Sequence, residues 1–334
     1  MASENALPEP TLIQSLQASV APAFAMHAGV ALGVFTALGD ATLTGAEVAR
    51  ALAVDPHRLE RLLYALVSMG LLEIRDTGFC NGSEAATYLV HGKPGYLGEE
   101  HPLLEELWRA DLLTATSIRE GRPSAKHDFA AADPDASLAF FRRLAPNALS
   151  FGRRLVDMID FRGVHSVIDI GGGPGHSLIG LRETKPDLQV TLLELPASIM
   201  LARKLLAGEP LADGLRFEVG NIVEAPSSTT HDLAILKAVI QVLSREEAAK
   251  TIRNTHASLN SGGRILISGV GIINDDRVSP LEAVFYNLTF MNLYPEGASY
   301  TRSEYTDWLS EAGFVDIAFN AMPSASQLIS ARKA

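Results

Sequence analysis

The stretch VIDIGGGPGHS, residues 167–177, decides the fold of the chain. Its apolar start reads as a buried strand that carries Asp169, and the alternating glycines Gly171, Gly173 and Gly175 follow before a helical pattern begins. Glycine is needed where the backbone must turn tightly and approach a ligand closely. The order of strand, glycine loop and helix therefore predicts a nucleotide-binding loop at the carboxyl end of a parallel strand.

The glycine spacing distinguishes two kinds of nucleotide. A dinucleotide fingerprint, G-x-G-x-x-G, counted from Gly171 needs a third glycine where His176 stands, and counting from Gly173 fails as well. The spacing D-x-G-x-G-x-G instead suits a nucleoside that carries an amino-acid tail. Glu194, at the end of the next predicted strand, is placed to accept hydrogen bonds from both ribose hydroxyls, although a solvated acid at a strand end is the alternative.

Two further strand ends carry candidate ligands. Asn221 and Ile222 follow the third predicted strand and are placed to touch an adenine through an amide and an apolar side chain. Lys237, near the end of the fourth strand, is a candidate partner for a carboxylate, with a purely structural lysine as the alternative.

The second half of the chain alternates short apolar runs with amphipathic segments, a pattern that predicts a parallel, doubly wound α/β sheet. The tail adds a helix and then two strand-like pieces, which we expect to form an antiparallel hairpin at the sheet edge. The predicted parallel strands are 166–170, 189–195, 215–220, 232–240 and 263–270.

The first part of the chain is predicted to be helical with one small hairpin. Thr44 and Glu47 have the spacing of a capping box, and Asp55-Pro56 is a typical helix start. Helices followed by a hairpin form a winged-helix pattern, which serves either DNA binding or subunit association. The acidic composition favours association, so we expect a helical, winged-helix-like dimerisation and acceptor-pocket domain over 1–155 and a Rossmann-like cofactor domain over 156–334.

Composition limits the possible functions. The 334 residues carry a formal net charge of −11, which opposes binding to a nucleic-acid backbone. A single cysteine, Cys80, excludes an intrachain disulfide and a multi-cysteine metal site, so no metal is expected. The N-terminus does not resemble a secretory signal and no apolar run is long enough to span a bilayer. We therefore expect a cytoplasmic protein that contacts neither nucleic acid nor membrane.

On these motifs the chain resembles the class I S-adenosylmethionine-dependent methyltransferases, and within them the small-molecule O-methyltransferase family of plants and bacteria. Residues 167–196 match the family signature VDVGGGxG…P…DLP, with Glu194 in place of the usual Asp, and residues 296–314 match its C-terminal segment. The resemblance implies a homodimer, a small-molecule acceptor and S-adenosylmethionine as cofactor. The residues that it assigns to the cofactor are Asp169, Gly171, Gly172, Gly173, Gly175, Glu194, Leu195, Asn221, Ile222 and Lys237.

The chain departs from the family at LKAVIQVLSREE, residues 236–247. The family carries LKxxLHDWxDE here, and its histidine is the base that deprotonates the acceptor hydroxyl. That position is Gln241 in this chain. The acids that orient the family histidine align with Gly269 and, less directly, with Ser299. The resemblance therefore implies that the whole base constellation is missing.

A missing base changes the expected acceptor. A general base typically contributes ~10²–10⁴-fold, and only where a proton must leave. Because a thioether has no such proton, we expect S-methylation of a small thioether acid, with N- or C-methylation next. The alternatives are O-methylation with a substitute base, and a non-methylating enzyme of the cyclase, pericyclase or hydroxylase type that uses the bound cofactor. A regulatory or pseudoenzyme dimer is a third alternative. The retained loop glycines and the ribose-binding acid count against it.

Several side chains are candidates for the work at the acceptor. Gln241, Asn287 and Tyr286 are the candidates that orient the acceptor, and His27 is the first candidate for a substitute base. The other candidate bases are His101, His127 and His176. The candidates for binding an acceptor carboxylate are Arg142, Arg143 and Asn147, with exposed charge as the alternative for both arginines. The candidates for a cation–π contact with the sulfonium are Phe151, Tyr286 and Trp108.

Overall fold

The computed structural model describes residues 8–93, 95–98, 101–125, 134–322 and 327–334. His127 lies outside the described residues. The chain divides into two compact units, Met1–Pro102 and Leu103–Ala334. None of the helices in the described ranges is long and apolar enough to cross a membrane.

The N-terminal unit consists of short helices and one antiparallel hairpin, as the winged-helix pattern predicts. Its core contains Val34, Phe35, Leu59, Leu63 and Leu66, all at most 3% exposed. The elements are α1 (Thr11–Ala18), α2 (Val20–Leu32), α3 (Val34–Leu38), α4 (Gly45–Leu52), α5 (Pro56–Ser68), β1 (Leu72–Arg75), β2 (Gly78–Asn81) and α6 (Ser83–Tyr88).

The predicted helix starts in this unit are confirmed by hydrogen bonds. The backbone N–H of Glu47 donates to Thr44 Oγ1 and the backbone N–H of Thr44 donates to the Glu47 carboxylate, which closes the capping box of α4. Asp55 accepts a hydrogen bond of 2.8 Å from the Arg58 backbone N–H at the start of α5. These side chains satisfy backbone donors that a helix start otherwise leaves unpaired.

The second unit contains the sheet. Its helices are α7 (His101–Asp111, which begins in the first unit), α8 (Thr114–Glu120), α9 (Pro134–Met158), α10 (His176–Arg182), α11 (Pro196–Leu205), α12 (Arg245–Ala257), α13 (Leu281–Leu293) and α14 (Arg302–Glu311). Its strands are β3 (Ser166–Ile170), β4 (Gln189–Glu194), β5 (Arg216–Val219), β6 (His231–Lys237), β7 (Leu259–Gly269), β8 (Ile272–Ile273), β9 (Tyr300–Thr301), β10 (Phe314–Ala321) and β11 (Gln327–Lys333).

The seven-stranded sheet has the order β10-β11-β7-β6-β3-β4-β5. Strands β3 to β7 are parallel, and the hairpin of β10 and β11 joins them antiparallel at one edge. The predicted doubly wound Rossmann-like architecture and the edge hairpin are confirmed. The chain leaves β3 toward β4 on one side and later returns to β6 on the other. Ligands of such sheets bind in the crevice at this switch point, beyond the carboxyl ends of the strands.

Helix α9 packs directly on the sheet unit. A Cβ atom at Gly152 of α9 would lie 2.0 Å from the Ser177 carbonyl oxygen of α10, and one at Gly180 would lie 2.2 Å from the Leu149 carbonyl oxygen. The two backbones therefore touch, because glycine leaves room for a close approach. This contact is one reason why α9 belongs to the second compact unit, which begins at Leu103, earlier than residue 156. The functional division into 1–155 and 156–334 stays a prediction.

Candidate active site

The glycine loop between β3 and α10 has the backbone conformation that its sequence predicts. Gly171 and Gly173 have φ angles of 66° and 54°, in the left-handed region that favours glycine. A Cβ atom at Gly171 would lie 2.7 Å from Val239 Cγ2, whereas one at Gly173 would meet nothing within 4 Å. The loop is therefore tight on its inner side and open at Gly173, where a ligand can approach the backbone. Gly172 lies over the Asp169 carboxylate and Gly175 caps α10.

Asp169 is completely buried at the end of β3. Neither of its carboxylate oxygens accepts a hydrogen bond of ordinary geometry from the described residues, although Ser177 is near enough to favour the ionised form slightly. Burial raises the pKa of Asp169 to about 7, the Lys237 ammonium opposes this shift, and the Glu194 carboxylate adds to it. A buried polar group without partners is costly, so this carboxylate is positioned to receive a hydrogen-bond donor.

Asp169 makes the stability of the cofactor-free protein depend on pH. Its pKa in the folded protein, about 7, lies above the value of ~3.9 in an unfolded chain. The folded state therefore binds this proton more tightly, and the free energy of unfolding falls as pH rises from about 4 to about 7. We expect wild type to lose a few kcal/mol more than Asp169→Asn between pH ~4.5 and pH ~8. Chemical denaturation at both pH values measures this loss, and equal losses in the two proteins would contradict the prediction.

Glu194 closes the other side of the glycine loop. Its carboxylate accepts hydrogen bonds from the backbone N–H of Gly173 at 3.1 Å and from that of Leu195 at 2.8 Å. Burial raises the pKa of Glu194, and these two N–H groups oppose the shift because they favour the ionised form. The carboxylate keeps acceptor capacity beyond these two bonds. Leu195, the next residue, is 44% exposed, which is unusual for a leucine and leaves an apolar surface beside the loop.

Asn221 and Ile222 are less available than the sequence suggests. Asn221 Oδ1 accepts a hydrogen bond of 3.0 Å from the Val223 backbone N–H, which closes a turn. Ile222 is 5% exposed and packs in the core, and its carbonyl oxygen accepts a hydrogen bond from Asn254 Nδ2. A contact of either side chain with an adenine stays a prediction.

Lys237 ends β6 beside the glycine loop. Its Nζ donates a hydrogen bond of 2.8 Å to Asn147 Oδ1 on α9 and lies 5.6 Å from the centre of the Phe151 ring. Phe151 is 2% exposed and belongs to the core. The predicted candidates Lys237 and Asn147 therefore meet at the carboxyl edge of the sheet, and Phe151 faces this lysine.

Gln241, the residue that aligns in sequence with the family base, is buried. Gln241 is 9% exposed and lies in a short 3-10 helix, Ile240–Val242. Its side chain makes no hydrogen bond to any residue in the described ranges. A Cβ atom at Gly269 would lie 2.6 Å from Gln241 Oε1. The glutamine side chain thus fills the space that a side chain at position 269 would need.

The second aligned acid position lies in the same cluster. A Cβ atom at Gly271 would lie 3.2 Å from Gln241 Cβ, 3.4 Å from Ser299 Oγ and 2.8 Å from Phe290 Cε2. The Ser299 hydroxyl donates to the Ala283 carbonyl oxygen at 3.1 Å. The three positions that align in sequence with the family base and its acids therefore lie close together, and they carry a glutamine, a glycine and a serine.

Asn287 on α13 contacts this cluster. Its Oδ1 accepts a hydrogen bond of 2.8 Å from the Ser299 backbone N–H. That bond identifies the amide oxygen and leaves the Asn287 Nδ2 donor without a partner among the described residues. Tyr286 packs its ring against Phe290 with the ring centres 5.9 Å apart. Asn287 is thus held in one orientation, as a positioning role requires.

Two of the candidate substitute bases face each other, and a third lies beside the glycine loop. In the N-terminal unit His27 faces His101, with 3.4 Å between the two Nδ1 atoms. The His176 Nδ1 lies 3.0 Å from the Pro174 carbonyl oxygen, and burial lowers the pKa of His176. Of the arginines, Arg142 is exposed and Arg143 pairs with Glu106, while Trp108 is partly buried on α7. The described residues include no cluster of three or more His, Cys, Asp or Glu side chains that could hold a metal ion.

Three residues of this region are not identified by sequence reasoning. Gly271 and Phe290 form a wall beside Gln241, and Glu106 contacts Arg143. Glu106 and Arg143 are 37 residues apart and lie on different helices, so no local spacing indicates their contact.

Comparison with known proteins identifies the family. A family model of the O-methyltransferase domain matches residues 119–315, and a model of the O-methyltransferase dimerisation domain matches residues 14–92. The chain is 28% identical to the 3-hydroxy-5-methyl-1-naphthoate 3-O-methyltransferase of Streptomyces sahachiroi, over 97% of this chain and 96% of that protein. It is also 28% identical to the aclacinomycin 10-hydroxylase RdmB of Streptomyces purpurascens, over 83% of this chain and 78% of that protein.

A solved structure agrees with the fold. Human N-acetylserotonin methyltransferase in complex with S-adenosylmethionine superposes with a TM-score of 0.81 at 24% identity, covering all of both chains. The family models together cover most of the chain, and each falls on the unit that its description leads one to expect. The chain therefore belongs to the S-adenosylmethionine-dependent, small-molecule O-methyltransferase family.

Proposed function

We propose that this methyltransferase acts on a small acceptor that has no tightly held proton, first of all the sulfur of a small thioether acid, with nitrogen or carbon acceptors next. One observation carries the proposal: the Gln241 amide is buried and lies against Gly269, at the two positions that align with the family base and its first acid. A glutamine amide donates and accepts hydrogen bonds but does not titrate near neutral pH. It can orient an acceptor and cannot remove its proton.

The residues around the glycine loop fit S-adenosylmethionine. The open face of Gly173 offers backbone to a ligand, and Glu194 keeps acceptor capacity for ribose hydroxyls. Asp169 lies buried without strong partners beside Lys237, so the two offer a negative and a positive group to an amino-acid tail. In this proposal Asp169, Glu194 and Lys237 bind the cofactor through their side chains. The loop glycines bind it through their backbone, and three further residues lie at the adenine. The glycines are Gly171, Gly172, Gly173 and Gly175, and the residues at the adenine are Leu195, Asn221 and Ile222.

The side chains near Gln241 position the acceptor. When bound, S-adenosylmethionine supplies a methyl group on a positively charged sulfur, and its transfer leaves a neutral thioether. Holding the acceptor atom in line with that methyl group supplies much of the rate through proximity. The Ser299 backbone fixes the Asn287 amide, so that its Nδ2 group can donate a hydrogen bond to the acceptor. Tyr286 and Phe290 form an apolar wall. A thioether acceptor gains a methyl group and a positive charge and releases no proton.

The N-terminal unit supports a homodimer, which we propose on the dimerisation-domain match and on its apolar surface. Leu12, Ile13 and Leu16 on α1 are each at least 60% exposed, and Phe24 on α2 is 46% exposed. Exposed apolar residues this close together are typical of association surfaces.

A second candidate function is a reaction without methyl transfer on the same fold. The observation that favours it is the similarity to a relative named a hydroxylase, at the same identity as the naphthoate O-methyltransferase relative. O-methylation with His27 as substitute base is a further alternative, in which the His27 Nδ1 atom faces His101.

Three small acids that offer a sulfur, a nitrogen or a phenol oxygen to the methyl group test the proposal. The purified protein is incubated with methyl-labelled S-adenosylmethionine and with (methylthio)acetic acid, dimethylglycine or hydroxybenzoic acid. We expect labelled sulfonium product in the first case and a slower or undetectable reaction with the phenol. A Glu194→Ala variant is the control for cofactor-dependent transfer. Label found only on the phenol oxygen contradicts the proposal, and tight cofactor binding with no transfer to any acceptor favours the second candidate.

A further inference from the structure

Arg143 lies on the face of α9 that borders the carboxyl edge of the sheet. Residues 143, 147 and 151 are spaced at i, i+4 and i+8, so they lie on one face of the helix. Phe151 is in the core beside β3, and Asn147, one turn earlier, contacts Lys237 at the end of β6. Each helical turn advances about 5–6 Å. Arg143 is therefore one helical turn from Asn147 on the same helix, on the side away from Phe151.

The Arg143 guanidinium has an unused donor. Its Nη2 donates to Glu106 Oε1 on α7, and its Nε is buried with no partner among the described residues. The guanidinium is a planar fork that binds a carboxylate best through two parallel N–H groups. Glu106 takes only one of them. A buried N–H without a partner is costly, so this edge favours a second oxygen.

The Arg143–Glu106 ion pair is partly shielded from water, so its electrostatic attraction is only partly screened. The side chains of Arg143 and Glu106 are 25% and 35% exposed, and the guanidinium carbon lies 5.9 Å from the centre of the Phe140 ring. Exposed ion pairs contribute little, whereas partly buried ones are less screened. A ligand carboxylate that reaches Arg143 therefore competes directly with Glu106 for the same guanidinium edge.

We propose that Arg143 binds the carboxylate of the acceptor through its Nε and Nη2 groups, and that Glu106 is the resident counter-ion that the acceptor displaces. The proposal rests on the proposed function, because it identifies the residue that recognises the acid group of a small acceptor. It also assigns opposite roles to the two partners of one ion pair. Arg143 strengthens the binding of acidic acceptors, and Glu106 weakens it.

Binding of matched acids and amides to the protein saturated with S-adenosylhomocysteine tests the proposal without turnover. The probes are (methylthio)acetic acid with (methylthio)acetamide, and hydroxybenzoic acid with hydroxybenzamide, measured by calorimetry or ligand-observed NMR. We expect wild type to bind at least one acid about tenfold more tightly than its amide, since a charge-assisted pair is roughly twice as strong as a neutral one. Arg143→Gln removes this preference, and Arg143→Lys keeps part of it.

The sharpest outcome is a difference in sign. Glu106→Gln removes the competing carboxylate, so acid binding becomes several-fold tighter, whereas Arg143→Gln makes it weaker. A salt bridge that is only structural would affect acid and amide alike in both variants. Arg154→Gln, an exposed arginine on the same helix, is the matched control and keeps the wild-type preference. The double variant Glu106→Gln/Arg143→Gln leaves no unpaired charge and is the form to use if the single variant unfolds.

The outcomes separate this proposal from the proposed function. Wild type that binds every acid no better than its amide overturns the role of Arg143, even if (methylthio)acetamide is methylated on sulfur. If hydroxybenzoic acid binds more tightly than hydroxybenzamide, if this preference depends on Arg143, and if no sulfur acceptor is methylated, the role of Arg143 is supported and the proposed sulfur acceptor is overturned. A loss of preference in Arg154→Gln equal to that in Arg143→Gln also overturns the proposal, because general charge would then explain it.

Discussion

Restoring a histidine and an acid together, as Gln241→His/Gly269→Asp, is expected to raise the rate of phenol methylation about 10²-fold or more, since a general base contributes ~10²–10⁴-fold where a proton must leave. Both changes are needed for a structural reason. Gln241 Oε1 lies where a side chain at position 269 begins, 2.6 Å from the ideal Cβ position. A histidine alone has no acid to set its tautomer or stabilise its charged form.

The single variants are the controls for this prediction. We expect Gln241→His to give a small increase, and Gly269→Asp to give none and to lower stability, because its side chain meets the glutamine. The pH dependence of kcat/KM on a phenol distinguishes a base from a change of shape: the double variant loses activity as the new histidine is protonated, while wild type does not. A wild-type rate on phenols equal to that of the double variant would contradict the hypothesis that wild type has no general base, and His27 would be the next residue to test.

Removing the Glu194 carboxylate, as Glu194→Ala, is expected to weaken S-adenosylmethionine binding by about 10²–10⁴-fold. Two hydrogen bonds from ribose hydroxyls to a charged group contribute ~1.5–3 kcal/mol each, and every ~1.4 kcal/mol is tenfold in affinity. The variant also removes the hydrogen bond of 3.1 Å that the Gly173 N–H donates to this carboxylate, so the glycine loop is less well held on its open side. Calorimetric titration with cofactor measures the change.

Two further variants make this prediction specific. Glu194→Asp keeps the charge that is usual in the family but shortens the reach to Gly173, so we expect a smaller loss. Glu311→Ala removes an exposed acid at the end of α14 and is expected to leave the affinity unchanged. A loss of less than about fivefold in Glu194→Ala, with the fold intact, would show that the ribose is held by other groups, since a single charged hydrogen bond already exceeds that effect.

The local structure of this protein is largely predictable from its sequence. The first predicted strand, 166–170, agrees with β3 residue for residue, and the capping box of α4 and the edge hairpin appear where the sequence places them. These features depend on residue types at short spacings, which a sequence displays directly. Strand ends are predicted less well: 232–240 extends beyond β6, which ends at Lys237 because Ala238 adopts a left-handed conformation with a φ angle of 59°.

The candidate site is predictable only in part. Asp169, the loop glycines, Glu194 and Lys237 lie together because the carboxyl ends of β3, β4 and β6 meet at one edge of the sheet. Asn221 shows the limit of such reasoning, since its amide oxygen closes a local turn. Ile222 shows the same limit, because it packs in the core. A residue type at a strand end indicates that a side chain is near the ligand, not which way the chain turns it.

The sequence by itself predicted the parallel sheet, the glycine loop and the family, and it aligns Gln241 with the family base. Only the tertiary structure decided that Gln241 fills the space at Gly269, that Lys237 meets Asn147 from 90 residues away, and that Arg143 pairs with Glu106 through one N–H group. The physical reason is the range of the interactions. Backbone turns, caps and strand patterns arise from neighbours in the chain, whereas the partners of a buried amide or guanidinium depend on how distant elements pack.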